Sequence, residues 1–444
     1  MNDERTCSFR SWLLALLGVA FSSLSLAQAP APEPLTVRRA AELALERAPQ
    51  LAAVRAAHEE GSASARVASD SFNPSIWAIT TPGYASGLPV AVAGRVPSYA
   101  GVELRQTIYD PWRKTEALQA QASATHLEGT LEISCVETVQ AVVTVYAKCW
   151  ADERRADSAA RRLSAAEGTL KRISSLFEEG RRTELDVERA RLQAARAKQK
   201  LLNAESDRDL EGLELKRMIG WPVSAPLRLA GEIENALPQI TSAESLAAAR
   251  DTDPRLKSLW QEIELLGRSA RLTSKRWPII EASAQYQRLP SYYDKYYKSF
   301  NENDLSIGVS VAIPIWAGGR LDDTEARAKA SVARVQAERD ARESELEVAV
   351  RRAEAAVARA DAERSLTRRS QGIAEQDLSS AKLLSREGRG EAGDVDDRQM
   401  ALADADEEAA RASLDALEQR VRLLALRGEL ARSILGSEPP CAAR

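Results

Sequence analysis

Histidine is nearly absent. Two residues, His58 and His126, serve a chain of 444, and methionine occurs three times. A soft-metal centre or a histidine-based catalytic site has few side chains to draw on. Aromatic residues make up only 5%, well short of what a compact globular core of this size uses, while charged residues reach 28%. That balance suits long, solvated helices. The net charge of −4 gives no basic surface for nucleic acid. No Gly-rich phosphate loop is present, so neither a metal nor a nucleotide cofactor is expected, and an enzyme is the weakest reading. The four cysteines are Cys7, Cys135, Cys149 and Cys441. Cys135 and Cys149 fall in one predicted helix, about 21 Å apart along its axis. They cannot bridge each other and read as buried thiols.

Long apolar runs are also missing, with one exception at the N-terminus. Arg5 and Arg10 precede the apolar stretch Trp12–Leu26, and Ser25-Leu26-Ala27 forms a small-x-small site. This is the pattern of a secretory signal over residues 1–27, with cleavage expected after Ala27 or Ala29. Cys7 precedes the apolar stretch, so it is not a lipoprotein's acylated cysteine.

The chain is written twice. LTVRRAAELALERAPQL (35–51) aligns with ITSAESLAAARDTDPRL (240–256), pairing Thr36 with Thr241 and Pro49 with Pro254. Phe72 then meets Trp277, TIYDPWR (107–113) meets PIWAGGR (314–320), and EGRRTELDV (179–187) meets EGRGEAGDV (387–395). The order is kept at a nearly constant offset, which marks an internal duplication. The first repeat spans 35–220 and the second 240–435, with a linker over 221–239 and a tail over 436–444.

Each repeat carries a short helix, a longer one, two strands and a helical hairpin. Thr36 is a suitable N-cap, and Asp110-Pro111 a suitable start for the first long helix. The long helices are predicted from Pro111 to about Phe177 and from Leu321 to about Arg386, roughly 65 residues or about 100 Å each. Val136, Val139, Val143, Tyr146 and Trp150 form one stripe, and Leu346, Ala349, Ala353, Ala356 and Ala360 another, as in coiled-coil seams. The returning helices are expected to run to about Met218 and about Ser433.

The strands are predicted at 73–84, 99–110, 279–288 and 304–316. Leu305, Ile307, Val309, Val311, Ile313 and Ile315 alternate with Ser306, Gly308, Ser310 and Ala312. Val102, Leu104 and Ile108 alternate with Glu103, Arg105 and Thr107, Gln106 interrupting the apolar face. Period two at this length fits membrane-spanning β-strands, apolar outward. Trp77, Tyr109, Trp112, Trp277, Tyr292, Tyr293, Tyr296, Tyr297 and Trp316 cluster in or beside these segments, as aromatics do at bilayer interfaces. An open sheet edge is not viable in lipid, and closed barrels start near eight strands. Several chains must therefore share one barrel. The competing reading is a secreted coiled-coil interaction protein without a pore; it explains the helices but not the alternating strands.

From about residue 35 to 435 the chain resembles the TolC family of outer-membrane channels. The resemblance rests on the duplication, on the strand-to-helix junctions QTIYDPWR and IPIWAGGR, and on the two Gly-x5-Asp-Val turns. It implies a mainly α fold with a small β part: duplicated long-helix hairpins form a trimeric α-barrel, and four strands per chain build a transmembrane β-barrel. It further implies a passive channel of a tripartite efflux or type I secretion system, working as a homotrimer in outer-membrane lipid. The partners would be a periplasmic adaptor and an inner-membrane pump of RND or ABC type. The turns would then form the periplasmic tips, with Gly180, Arg181, Arg182, Gly388 and Arg389 facing the adaptor. Asp394 and Asp397 match the family's pore-constriction pair, and Asp186 and Arg389 would lie beside them. Acidic residues in a helix's first turn also suit its dipole. Ser385 stands where the family has a Tyr, and Gly390 where it has an Arg.

Overall fold

The computed structural model describes residues 34–81, 99–230, 245–273, 277–288, 301, 303–315, 319–387, 389 and 392–436. The signal segment, Thr241, Tyr292, Tyr293, Tyr296, Tyr297, Trp316, Gly388 and the tail beyond 436 lie outside them.

The first repeat opens with α1 (Val37–Arg47), where Thr36 Oγ1 accepts the Arg39 N–H at 3.2 Å. Pro49 begins α2 (Pro49–Asp70). Strands β1 (Ser75–Thr81) and β2 (Tyr99–Tyr109) follow. Asp110 then caps α3 (Pro111–Glu178), accepting from the Trp112 N–H at 2.8 Å. This helix runs 68 residues, about 100 Å. After a turn, α4 (Glu184–Met218) returns. The second repeat supplies α5 (Ser245–Thr252), α6 (Pro254–Thr273), β3 (Ile279–Arg288), β4 (Asn303–Ala312), α7 (Arg320–Arg386) and α8 (Ala392–Leu426). A final turn of helix, α9, covers Leu430–Leu435.

The expected uninterrupted return to Ser433 is corrected here. Gly428, at φ 68°, breaks the helix, and a Cβ there would come within 2.7 Å of the Thr252 side chain. Thr252 Oγ1 also lies 2.7 Å from the Arg427 carbonyl oxygen. Only glycine tolerates both the backbone and the neighbour.

Packing follows the heptads. Near the strands α3 lies between α2 and α6; farther down it lies between α4 and α8, and α7 packs on α6 and then on α8. The lower layer is thus ordered α4–α3–α8–α7. The buried seams repeat every seven residues: Ala190, Ala197 and Ala204 on α4; Leu346, Ala353, Ala360 and Thr367 on α7; Ala403, Ala410, Leu417 and Leu424 on α8. Ala349 and Ala356, assigned to the α7 seam by sequence, are only half-buried. Alanine at seam positions lets helices approach closely, as coiled-coil packing with small knobs requires.

The main core is a belt midway along α3. Val139, Val142, Val143, Tyr146 and Trp150 pack there against α1, the ends of α4 and α8, and α9. Leu35 bridges to Leu229, and the buried Tyr146 hydroxyl lies 2.7 Å from the carbonyls of both Leu35 and Ala230. Burial pushes its pKa up to about 12. Cys149 is a buried free thiol. Cys135, fully buried in the same belt, is not: it is disulfide-bonded, so reading it as a thiol is corrected.

The four strands form one antiparallel sheet in the order β1-β2-β3-β4. Ile307 sits opposite Ala284, which sits opposite Leu104, which sits opposite Ile76. Ser306 lies in line with Gln285, Glu103 and Trp77 on the other face. One face is therefore apolar and the other largely polar. A bulge after Thr107 sets Tyr109 opposite Ile280. It moves Tyr109 into the apolar row and leaves Ile108 unpaired, which shape-blind alternation could not show.

Candidate functional site

Two places in this fold combine exposure with convergent side chains: the hairpin tips and the sheet.

At the first tip, Gly180 takes φ 73°, its N–H donating to Phe177 O at 2.8 Å and the Arg181 N–H to Leu176 O at 2.8 Å. This left-handed ending is the usual role of a glycine after a helix. Thr183 caps α4: its Oγ1 accepts the Asp186 N–H at 3.3 Å, and Asp186 Oδ2 accepts the Thr183 N–H at 3.1 Å. The pair is a reciprocal capping box. These hydrogen bonds, first among them that from the Thr183 backbone, hold the Asp186 carboxyl below the usual range. Asp186 thus closes its own turn. Arg181 pairs with Glu179 at 3.4 Å, and Arg182 is exposed beside it.

At the second tip, Arg389 N–H donates to Leu384 O at 2.9 Å, and its side chain pairs with Glu387 at 3.7 Å. Asp394 and Asp397 stand one turn apart at the start of α8, both exposed and on one face. Asp396 between them turns the other way. Its Oδ2 lies 2.5 Å from Arg172 Nη2 and accepts from Thr169 Oγ1 at 3.2 Å. Both partners belong to α3, so Asp396 ties the second hairpin to the first.

That tie is the lowest rung of an ionic seam between α3 and α8. Arg161 meets Asp406 at 2.7 Å, and Arg162 meets Asp404. Lys200 of α4 reaches Glu407 at 3.6 Å. The seam places bases on the first hairpin and acids on the second. Sequence reasoning overlooked it. The signal was there: α3 carries Arg161, Arg162 and Arg172, and α8 carries Asp396, Asp404, Asp406 and Glu407.

On the sheet, every residue of β4 is exposed, with Ile307 at 77%. Tyr109 stacks edge-on to Trp277, ring centroids 6.1 Å apart, and Arg320 lies over the Trp112 ring at 5.8 Å. These aromatics sit at the strand-to-helix junction. The register puts Trp77 on the polar face beside Glu103, with its Nε1–H donating to Ser75 Oγ at 3.1 Å. Among the described residues no three His, Cys, Asp or Glu side chains converge to hold a metal ion, and no helix is long and apolar enough to cross a membrane.

Paired helices of about 100 Å, each folded back by a shorter helix below a short sheet that is apolar on one face, are the build of an outer-membrane channel. The sequence profile of the outer membrane efflux protein family matches residues 40–221 and again 246–429, one match per repeat, and the chain belongs to that family. It is an efflux channel protein, not an enzyme. Solved structures share the fold. The CusC channel superposes with a TM-score of 0.73 at 13% identity, covering 88% of this chain and 92% of CusC. VceC of Vibrio cholerae gives 0.66 at 17%, covering 89% and 96%. The open-state MtrE channel of Neisseria gonorrhoeae gives 0.66 at 19%, covering 89% of each. No curated protein matches the sequence.

Proposed function

We propose that three copies of this chain close one conduit, the passive outer-membrane duct of a tripartite export assembly. The carrying observation is a pair of matching open edges. In the sheet, β1 and β4 each have a single neighbour, and unpaired edges are not viable in lipid. In the helical layer, α4 and α7 are the outer members. Leu185, Leu192, Leu202 and Leu210 of α4 and Leu366, Ile373 and Leu383 of α7 are exposed. Joining β1 to β4 and α4 to α7 of successive copies would cover both edges at once. Three copies would give twelve strands, above the minimum for a closed barrel.

In this reading the sheet sits in the outer membrane and the hairpins extend into the periplasm. The tips, with Gly180, Arg181, Arg182, Gly388 and Arg389, meet a periplasmic adaptor. An inner-membrane pump, of RND or ABC type, supplies the energy. Asp394 and Asp397 ring the narrow end, with Asp186 holding the neighbouring turn in shape. Native mass measurement of the detergent-extracted protein should give a trimer. A stable, folded monomer would overturn the shared-barrel reading.

A further inference from the structure

The duplication leaves two notches in the belt, one per repeat, where a lower helix ends beneath the start of an upper one. In the first repeat α4 stops at Met218 and α2 starts at Pro49. In the second α8 stops at Leu426 and α6 starts at Pro254. Helices pack by their sides, so the gap between two ends stays open. The gaps are clefts of about 220 Å³ and about 300 Å³ flanking α3, and Glu137 of α3 lines both. They differ in charge. Pro49 and Pro254 are equivalent, so Lys257 stands where the first repeat has Ala52. Besides Glu137, the first notch has one charged lining residue, Arg217, already paired with Glu214 at 2.6 Å. The second sets Lys257 and Arg342 beside an apolar wall of Ile133, Val136 and Leu426. Arg342 Nη2 lies 2.7 Å from Asp253 Oδ2, but its Nε is buried and donates no hydrogen bond among the described residues. Glu132 and Arg432, also on the lining, are engaged. Among the described residues neither Glu137 nor Lys257 has a side-chain partner, and both are exposed.

We propose that the second-repeat notch binds a small zwitterion with an apolar body, of the kind an aliphatic α-amino acid presents. The ligand's ammonium meets Glu137, its carboxylate meets Lys257 and the unused Nε of Arg342, and its hydrocarbon lies on Ile133, Val136 and Leu426. A mainly apolar cleft of roughly 300 Å³ with a few placed polar groups is the usual form of a small-molecule site. The two free charges of the cleft are opposite in sign, so both charges of the ligand are needed. A simple anion would add to the negative charge of Glu137, and a simple cation would leave Lys257 unanswered. A buried donor without an acceptor, such as Arg342 Nε, gains most from an ionised one. All of these residues belong to one chain, so the site does not depend on how copies associate. Occupancy joins α3 of the first repeat to α6 and α7 of the second.

The test is isothermal titration calorimetry of the detergent-extracted protein with L-leucine. Two analogues run beside it: 4-methylpentanoate, which lacks the amine, and 3-methylbutylamine, which lacks the carboxylate. The expected result is saturable binding of one leucine per chain, with each analogue about tenfold weaker or more, the order expected for a lost charge-assisted hydrogen bond. Lys257→Ala should weaken leucine binding by about tenfold or more. It should leave the thermal midpoint of the ligand-free protein unchanged, because the Lys257 side chain is exposed. Gln50→Ala, in the first notch, should leave binding as it is. No saturable leucine binding to the wild type would overturn the site, as would either analogue binding as tightly as leucine. Undiminished binding to Lys257→Ala, or loss of binding in Gln50→Ala, would put the ligand elsewhere and overturn it too.

Discussion

Arg172 Nη2 lies 2.5 Å from Asp396 Oδ2, joining α3 of the first hairpin to α8 of the second one turn above the tip. Both groups are more than two-thirds buried, so water screens the pair less than a surface salt bridge. A charge-assisted hydrogen bond of this kind contributes on the order of 1–2 kcal/mol. Each 1.4 kcal/mol is about tenfold in an equilibrium. If the hairpins separate when the channel opens, Arg172→Asp should raise open probability in planar bilayers several-fold. The exchanged pair, Arg172→Asp with Asp396→Arg, should restore it substantially. Failure of the exchange to restore closure would show that the two side chains do not act through each other.

A second expectation concerns lipid exposure. Val309 lies opposite Ala282 in the apolar row, whereas Ser310 lies opposite Glu281 on the polar face. Arginine on a lipid-facing strand near the bilayer centre costs about 2–4 kcal/mol. Val309→Arg should therefore sharply reduce heat-modifiable trimer in outer-membrane extracts, and Ser310→Arg should reduce it far less. Equal yields would place both faces in the same environment, contrary to the register.

The strands were legible because alternation is local: each side chain declares its face without reference to its partner strand. The bulge at Ile108 was not, since it exists only in the pairing with Glu281 and Ile280. The face of Trp77 was hidden for a related reason. Its residue type suggests an interface, but its face is fixed by standing opposite Glu103. The helices were legible from caps such as Asp110 and from sustained heptads. The stop at Gly428 was hidden because the surrounding Leu-, Ala- and Arg-rich stretch favours helix, and Thr252, the side chain against it, is remote in sequence. Acidic residues at the tip were also visible from the turn motif. That Asp396 faces inward while Asp394 and Asp397 face outward required the packing of α8 on α3.

Glu418 offers a test of the belt by pH. Burial raises its carboxyl above the usual range, Asp415 and Glu211 add to the shift, and Lys148 opposes it. The folded protein therefore holds this proton more tightly than the unfolded chain. Its contribution is full below the unfolded carboxylate range and is lost as pH rises through the folded value. Glu418→Gln should raise the thermal midpoint at neutral pH, and the difference from wild type should shrink on acidification. A constant difference across the titration would mean that the carboxylate's charge is not the cause.

The acidic ring carries the most direct functional expectation. Asp394 and Asp397 are exposed on the face of α8 opposite the one that Asp396 turns to α3. In a trimer they would set six carboxylates around the narrow end. Negative charge converging on a constriction concentrates cations and repels anions. Screening acts over about 8–10 Å at physiological salt, so the ring should act across an opening narrower than that. The channel should be cation-selective and open to block by multivalent cations. Asp394→Ala with Asp397→Ala should weaken the selectivity and relieve the block while leaving the trimer intact, because neither side chain takes part in the seam between α3 and α8. The measurement is the single-channel reversal potential under a salt gradient, wild type beside the double variant. Coincident potentials would remove these residues from the constriction and leave them the simpler role of acidic groups at a helix start.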